Sequence, residues 1–238
     1  LENCEIFVVT NNRTLLNYVK VLELGLPVKI ETSTPISKAR RNCVKNTNAE
    51  YVLFVDDDVS VTRKILSELF SALSKDVGAV EGVPFVTGLG GRFDHALNNR
   101  KRKKSLQHGD RGYTIVTLVR KELVQDWDPK SLSSYEDYSL TQHILSKGYN
   151  WVTTPISAFH IKTWGRQAKN RLWLIRGYME TFDLTFKQRV IEAVKHFVSP
   201  FNSTIKHRNY DPFLFVYNIY MGWSFAFAIM LTIRRTNI

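Results

Sequence analysis

Along the first two thirds of the chain, apolar and polar positions fall into blocks that switch between strand and helix period. Glu5 to Thr10 is a short β-rich run. Polar Asn11, Asn12 and Arg13 follow, and then Leu15, Tyr18, Val19 and Leu22 recur at helical spacing until Gly25 and Pro27. Val28 to Thr32 predicts a second strand, and Ser37 opens a basic helix with Lys38, Arg40, Arg41 and Lys45. Tyr51 to Val55 predicts a buried parallel strand that ends abruptly in Asp56, Asp57 and Asp58. Thr62 is placed to cap a helix whose Ile65, Leu66, Leu69, Phe70 and Leu73 share one face, and Val77 to Val86 is extended again. The Gly-rich, basic stretch Gly88 to Gly112 reads equally as a solvated face or as a mobile lid attracted to phosphate. Tyr113 to Arg120 predicts a strand, Glu136 and Asp137 open a helix ending at Gly148, and Trp151 to Ile161 holds Pro155 and His160. This alternation predicts an α/β fold with a mixed, mostly parallel sheet flanked by helices. In such sheets ligands bind beyond the carboxyl ends of the strands, where Thr10, Asn12, Arg13, Glu31 and the aspartates converge.

The last third reads differently. Thr185 to Ser199 gathers Val190, Ile191, Val194, Phe197 and Val198 on one face of a basic helix, and Pro212 to Ile233 is uncharged and aromatic-rich before Arg234 and Arg235. Three roles stay open for this helical appendage: a membrane-surface anchor, a membrane span, or a soluble core or homodimer contact. The formal net charge of +11 over 238 residues favours an anionic partner without choosing between nucleotide, nucleic acid and lipid headgroup. Cys4 and Cys43 are too few for a disulfide framework, which suits a reducing, cytoplasmic setting, and no secretory leader is visible at Leu1.

Three adjacent carboxylates at the end of an apolar strand repel one another unless a cation or donors sit there. Oxygen ligands from alternate residues suit a hard ion, Mn2+ or Mg2+, that keeps positions for substrate phosphates. A metal at Asp58, with Asp56 assisting, would offset charge building on a departing diphosphate. An acceptor hydroxyl needs a base on the opposite face, for which Asp137 is the candidate, with Glu136 orienting the acceptor or base. The bland alternatives are a solvated acidic turn for the aspartates, and capping of the helix dipole for Glu136 and Asp137.

In chain order, Arg41-Asn42, Asp56-Asp57-Asp58, Glu136-Asp137 with Leu140 and Gly148-Tyr149, and Pro155 with His160 form a series. Over about Cys4 to Thr163 this series resembles the family 2 inverting glycosyltransferases, which have the GT-A fold. The resemblance implies a GT-A (Rossmann-like) catalytic domain over residues 1–164; the chain beyond it departs from that pattern, and its own periodicity predicts a helical, membrane-associated or packed region over 165–238. It implies metal-dependent, inverting transfer of a sugar, a hexosyl group expected, from a UDP- or GDP-linked donor to an acceptor. The basic helix Thr185 to Ser199, the aromatic run from Pro212 and Arg234-Arg235 together predict that this acceptor is a glycan, lipid-linked sugar or lipid phosphate presented at the cytoplasmic membrane face. Arg41, Asp56 and Asp57 would serve the donor, and His160 would reach the metal or diphosphate. Glu31-Thr32-Ser33 stands where the family usually has an Asp near a Gly-Ser, which leaves the donor base open. Two other classes remain. One is a metal-dependent nuclease or phosphoryl-transfer enzyme, against which the absence of a nucleic-acid motif argues; the other is a non-catalytic sugar-binding or assembly module.

Overall fold

The computed structural model describes residues 5–9, 28–31, 35–56, 59–87, 105–130, 132, 134–161, 173–175, 177–179, 181–207 and 212–235. Strands β1 (Ile6–Val9) and β2 (Val28–Glu31) pair in parallel, Ile6 opposite Val28 and Val9 opposite Glu31. Helix α1 (Ile36–Asn46) leads into β3 (Tyr51–Val55), and α2 (Arg63–Ser71) leads into β4 (Val77–Thr87). Thr62 Oγ1 accepts from the Ile65 amide at 3.4 Å, capping α2 as its position predicts. Then come β5 (Ser105–Leu106), β6 (Val116–Arg120), the single turn α3 (Lys121–Val124), α4 (Glu136–Ser146) and β7 (Asn150–Ile161).

The second sheet has the order β3-β6-β4-β7-β5. Its β6 is antiparallel to both neighbours, Tyr51 facing Arg120 on one side and Ala79 facing Val119 on the other, and β5 is antiparallel to β7. Strands β3 and β4 therefore run in one direction, as successive strand–helix units do, and β6 is inserted between them in the opposite sense. The α/β class stands and the sheet is mixed, but the five-stranded sheet is mostly antiparallel where the alternation predicts mostly parallel strands. Parallel hydrogen bonding is seen between β1 and β2, whereas β3 pairs antiparallel, because a strand arriving 60 residues later takes the place beside it. Burial shifts accordingly: β6 is the buried strand, while in β3 only Phe54 is buried and Val55 is 39% exposed.

Side chains alternate between two faces. Val80, Val116, Leu118 and Ile156 pack with Ile65 and Leu69 of α2. Phe54, Ala79 and Val119 pack with Val44 of α1, Leu140 and Ile144 of α4, and Trp127 and Trp151. The second face brings α1 and α4 over the end of the sheet where β3 runs out into Asp56.

The chain divides into two compact units, residues 1–85 with 101–159, and residues 86–100 with 160–238. In the second, α5 (Phe186–His207) and α6 (Pro212–Arg235) form an antiparallel hairpin, in which Phe197 stacks on Trp223 and Phe201 meets Phe215 edge-on. Pro200 cannot donate a helical N–H to the His196 carbonyl. Ser199 Oγ donates to that oxygen at 3.2 Å instead, and Gly222 of α6 lies against it: a Cβ there would sit 2.5 Å from the carbonyl and 2.7 Å from the Pro200 ring. Trp223 Nε1 donates to the next carbonyl, Phe197 O, at 3.2 Å. No helix among the described residues is long and apolar enough to cross a membrane.

Candidate active site

Three residues from separate elements meet at Arg40 of α1. Its Nη1 donates to Glu136 Oε1 at 2.6 Å and to the Thr114 hydroxyl, and its Nη2 donates to Asp56 Oδ1 at 3.2 Å. The guanidinium also lies 5.8 Å from the centre of the Phe54 ring. Glu136 is buried, Arg40 is largely covered, and Asp56 is partly open. Burial raises the Glu136 carboxyl above its ordinary range, and the Arg40 charge opposes that shift. One arginine thus ties the acidic end of β3 to the first turn of α4, the two places the sequence marks for donor and acceptor chemistry.

A second arginine holds the neighbouring carboxylate. Arg111 Nε and Nη2 donate to Asp137 Oδ1 and Oδ2 at 2.9 and 2.8 Å, a two-pronged fork on a buried side chain. The Tyr138 amide adds a donor to Oδ1 at 2.8 Å. A carboxylate has about four acceptor positions, so among the described residues these three donors leave one, on Oδ2. The Arg111 guanidinium is stacked 3.8 Å from the Tyr135 ring centre and 5.0 Å from that of Tyr113. Tyr135 itself adopts φ 69°, the left-handed region that costs a non-glycine residue roughly 1–3 kcal/mol. That strain places its ring beneath the guanidinium at the start of α4.

The loop that delivers Arg111 is fixed by Gly112. A Cβ there would lie 2.3 Å from the Trp151 ring, so only glycine lets the backbone rest on the indole. The Gly112 amide donates to Thr141 Oγ1 at 3.0 Å, and this hydroxyl donates back to the Asp137 carbonyl at 2.7 Å. Behind the loop, Glu81 of β4 accepts from the Tyr113 amide at 2.9 Å and from Trp151 Nε1 at 3.0 Å, both on Oε2. Desolvation is the main reason its carboxyl is raised to about 7, with the two hydrogen bonds opposing and the Asp137 charge adding.

Of the predicted site residues, Asp56, Glu136 and Asp137 are gathered here. Arg41 faces away from them and pairs with Asp128 at 3.4 Å; Arg40, one residue earlier, occupies the site. Glu31 ends β2 and acts on Cys43 of α1, whose buried thiol is pushed up to about 11 by desolvation first and by the Glu31 charge second. Thr10, Asn12, Arg13, Asp57 and Asp58 lie outside the described residues, as does the side chain of His160, whose backbone belongs to β7. Among the described residues no group of three or more His, Cys, Asp and Glu side chains is assembled for a metal. The donor type nonetheless suits a hard cation: Asp56 is a partly exposed carboxylate at the strand end, followed in sequence by Asp57 and Asp58. Arg111 and Glu81 are site residues that motif reading does not single out.

No protein-family model matches the sequence, and no curated protein matches it. Solved structures similar to the chain include glucosyl-3-phosphoglycerate synthase from Mycobacterium tuberculosis in complex with phosphoglyceric acid. That likeness has a TM-score of 0.52 and 15% identity and covers 76% of this chain and 70% of that one. TarS 1–349 from S. aureus in complex with UDP follows with a TM-score of 0.45 and 18% identity, covering 84% of this chain and 64% of that one. A197 from STIV has a TM-score of 0.40 and 13% identity, covering 67% and 85%. At such identity the first likeness defines the fold alone: the chain has the GT-A fold of glycosyltransferases.

Proposed function

We propose that this chain is a glycosyltransferase of the family 2 type, moving a sugar, a hexosyl group, from a UDP- or GDP-linked donor to an acceptor hydroxyl or lipid phosphate with inversion. The observation that carries this reading is the position of Asp137: a buried carboxylate on a GT-A scaffold, beside the strand end that bears Asp56, gripped by the Arg111 fork with one acceptor position remaining. A base with that geometry takes the proton of an acceptor hydroxyl on Oδ2 as the oxygen bonds to the anomeric carbon. The bond from that carbon to the diphosphate oxygen breaks on the opposite face, and the electron pair leaves with the nucleoside diphosphate. Attack opposite the leaving group inverts the anomeric centre.

Arg111 is a positioning residue in this scheme: its fork fixes the rotation of Asp137, and the Tyr135 and Tyr113 rings fix the fork. Glu136, held by Arg40, orients the acceptor edge of the site. Asp56, Asp58 and His160 would hold Mn2+ or Mg2+, and the metal would supply positive charge to the diphosphate of the donor.

The test is a panel of UDP- and GDP-sugars with the parent chain, Asp137→Asn and Asp58→Ala, read by nucleotide release, donor binding and the anomeric configuration of the product. Asp137→Asn is expected to bind donor and lose at least about a hundredfold in turnover. Asp58→Ala is expected to lose metal-dependent donor binding with its fold unchanged. Turnover at the parent rate by Asp137→Asn would remove Asp137 as the base, and a retained configuration would remove the inverting mechanism.

A further inference from the structure

The α5–α6 hairpin carries an apolar face with no protein cover among the described residues. On α5, Phe186, Val190, Val194, Phe197 and Phe201 follow one another at helical spacing, each 40–59% exposed. On α6, Val216, Phe227, Met230 and Leu231 are 45–58% exposed and lie opposite the side that packs inward through Tyr217, Ala228 and Ile229. The parallel Phe197–Trp223 stack, 4.8 Å between ring centres with planes 6° apart, lies where the two exposed stripes meet and makes them one surface. Isolated exposed apolar side chains are ordinary in a protein, but a contiguous stripe along two helices is not.

We infer that this face docks flat on an anionic lipid bilayer, with the hairpin lying in the headgroup region and not crossing it. Charge selects this occupant. Glu192 and Asp211 are the only acidic residues from Phe186 to Arg235, and Glu192 is already paired with Lys195 at 2.6 Å. The helices are antiparallel, so Lys187 and Arg189 at the start of α5 share an end of the hairpin with Arg234 and Arg235 of α6, while Lys206 stands near the other end. With cations at both ends, a second copy seated on the face would set positive charge on positive charge in either two-fold orientation. Anionic headgroups complement both ends while the acyl region takes the Phe and Val side chains. Neither helix is apolar enough to cross, which leaves the interfacial plane. The inference is independent of the reaction proposed above.

The experiment is flotation of the full chain with vesicles of phosphatidylcholine alone or mixed with phosphatidylglycerol, beside the triple variant Val190→Ser/Val194→Ser/Val198→Ser and the single variant Lys187→Gln. All these positions are solvent-exposed, and urea denaturation of each variant is the control, expected to match the parent. The parent is expected to float with the anionic vesicles, at least about tenfold more than with neutral ones, and less as salt rises. The serine variant should lose roughly tenfold or more of that binding, and Lys187→Gln a smaller, salt-sensitive part. Three results would overturn the inference: a parent that stays at the bottom of the gradient, a serine variant that floats like the parent, or a parent dimer that the serine substitutions convert to monomer, which would assign the face to a second copy.

Discussion

Replacing Glu81 by glutamine isolates the cost of one buried charge. In the folded chain burial holds this carboxyl at about 7 against an ordinary 4.5. Below the lower value both folded and unfolded chains carry the proton, and nothing is lost. As pH rises the unfolded chain releases its proton first, so stability falls, and above about pH 7 the whole penalty is present. At about 1.4 kcal/mol for each tenfold in proton affinity, the full cost is on the order of 3 kcal/mol. Both donors, the Tyr113 amide and Trp151 Nε1, go to Oε2, so a glutamine carbonyl can take them and place its amide nitrogen at the Oε1 position. An imperfectly paired amide there costs about 1–2 kcal/mol, but equally at every pH. The quantity to measure is therefore the change in the variant's advantage between about pH 5 and about pH 8.5, obtained from urea denaturation at each. It should favour Glu81→Gln at the higher pH by roughly 2–3 kcal/mol. An advantage that does not change between the two would mean that Glu81 does not titrate in this range, and the burial argument would fall.

Arg40→Met leaves Glu136 buried without its ion-pair partner and should cost roughly 3–5 kcal/mol in urea denaturation, while Arg40→Lys, lacking the planar fork, should recover only part. Gly222→Ala gains helix propensity but drives a methyl into the His196 carbonyl and the Pro200 ring, so a net loss on the order of 1–3 kcal/mol is expected, seen as a lower thermal midpoint. Arg111→Lys should lower kcat by tenfold or more with KM changed far less, since one ammonium cannot hold both oxygens of Asp137; equal losses in binding and turnover would instead place Arg111 on the substrate.

Much of the candidate site is legible in the sequence because its signals are interruptions. Asp56 breaks an apolar run, and Glu136 and Asp137 begin a helix whose Leu140 and Ile144 are both core residues. Glu81 is the same kind of signal, a single charge inside Val77 to Val86, and its burial explains why it stands there. The choice between Arg40 and Arg41 is harder, since both belong to one basic helix. Helical phase decides it: Arg40 lies between buried Ala39 and buried Cys43 and Val44, while Arg41 turns toward Asp128. Arg111 sits in a polar loop with no periodicity, and only the glycine between two large side chains hints that the backbone is pressed against something. The insertion of β6 between β3 and β4 depends on pairing between residues about 65 positions apart, which local patterning does not encode.

An arginine clamped on the carboxylate proposed as the base looks at first like an obstacle to that role, and the donor count shows why it is not. An Asp137 side chain with nothing on its oxygens could rotate about its last torsion, and buried beside Glu136 it would face like charge with nothing to offset it. Arg111 and the Tyr138 amide remove the rotation and supply the counter-charge, but they use three acceptor positions of about four. The remaining direction on Oδ2 is thereby the one from which a hydroxyl proton can arrive. Arg40 performs a parallel task for Glu136 and extends it to Asp56, so that the acidic end of β3 and the first turn of α4 are held in one frame. The two arginines sit on elements whose own positions are set by the core, α1 through Ala39 and Val44 and the 111–114 loop through Gly112 on Trp151. Packing residues far from Asp137 thus determine the direction from which the proposed base would accept a proton.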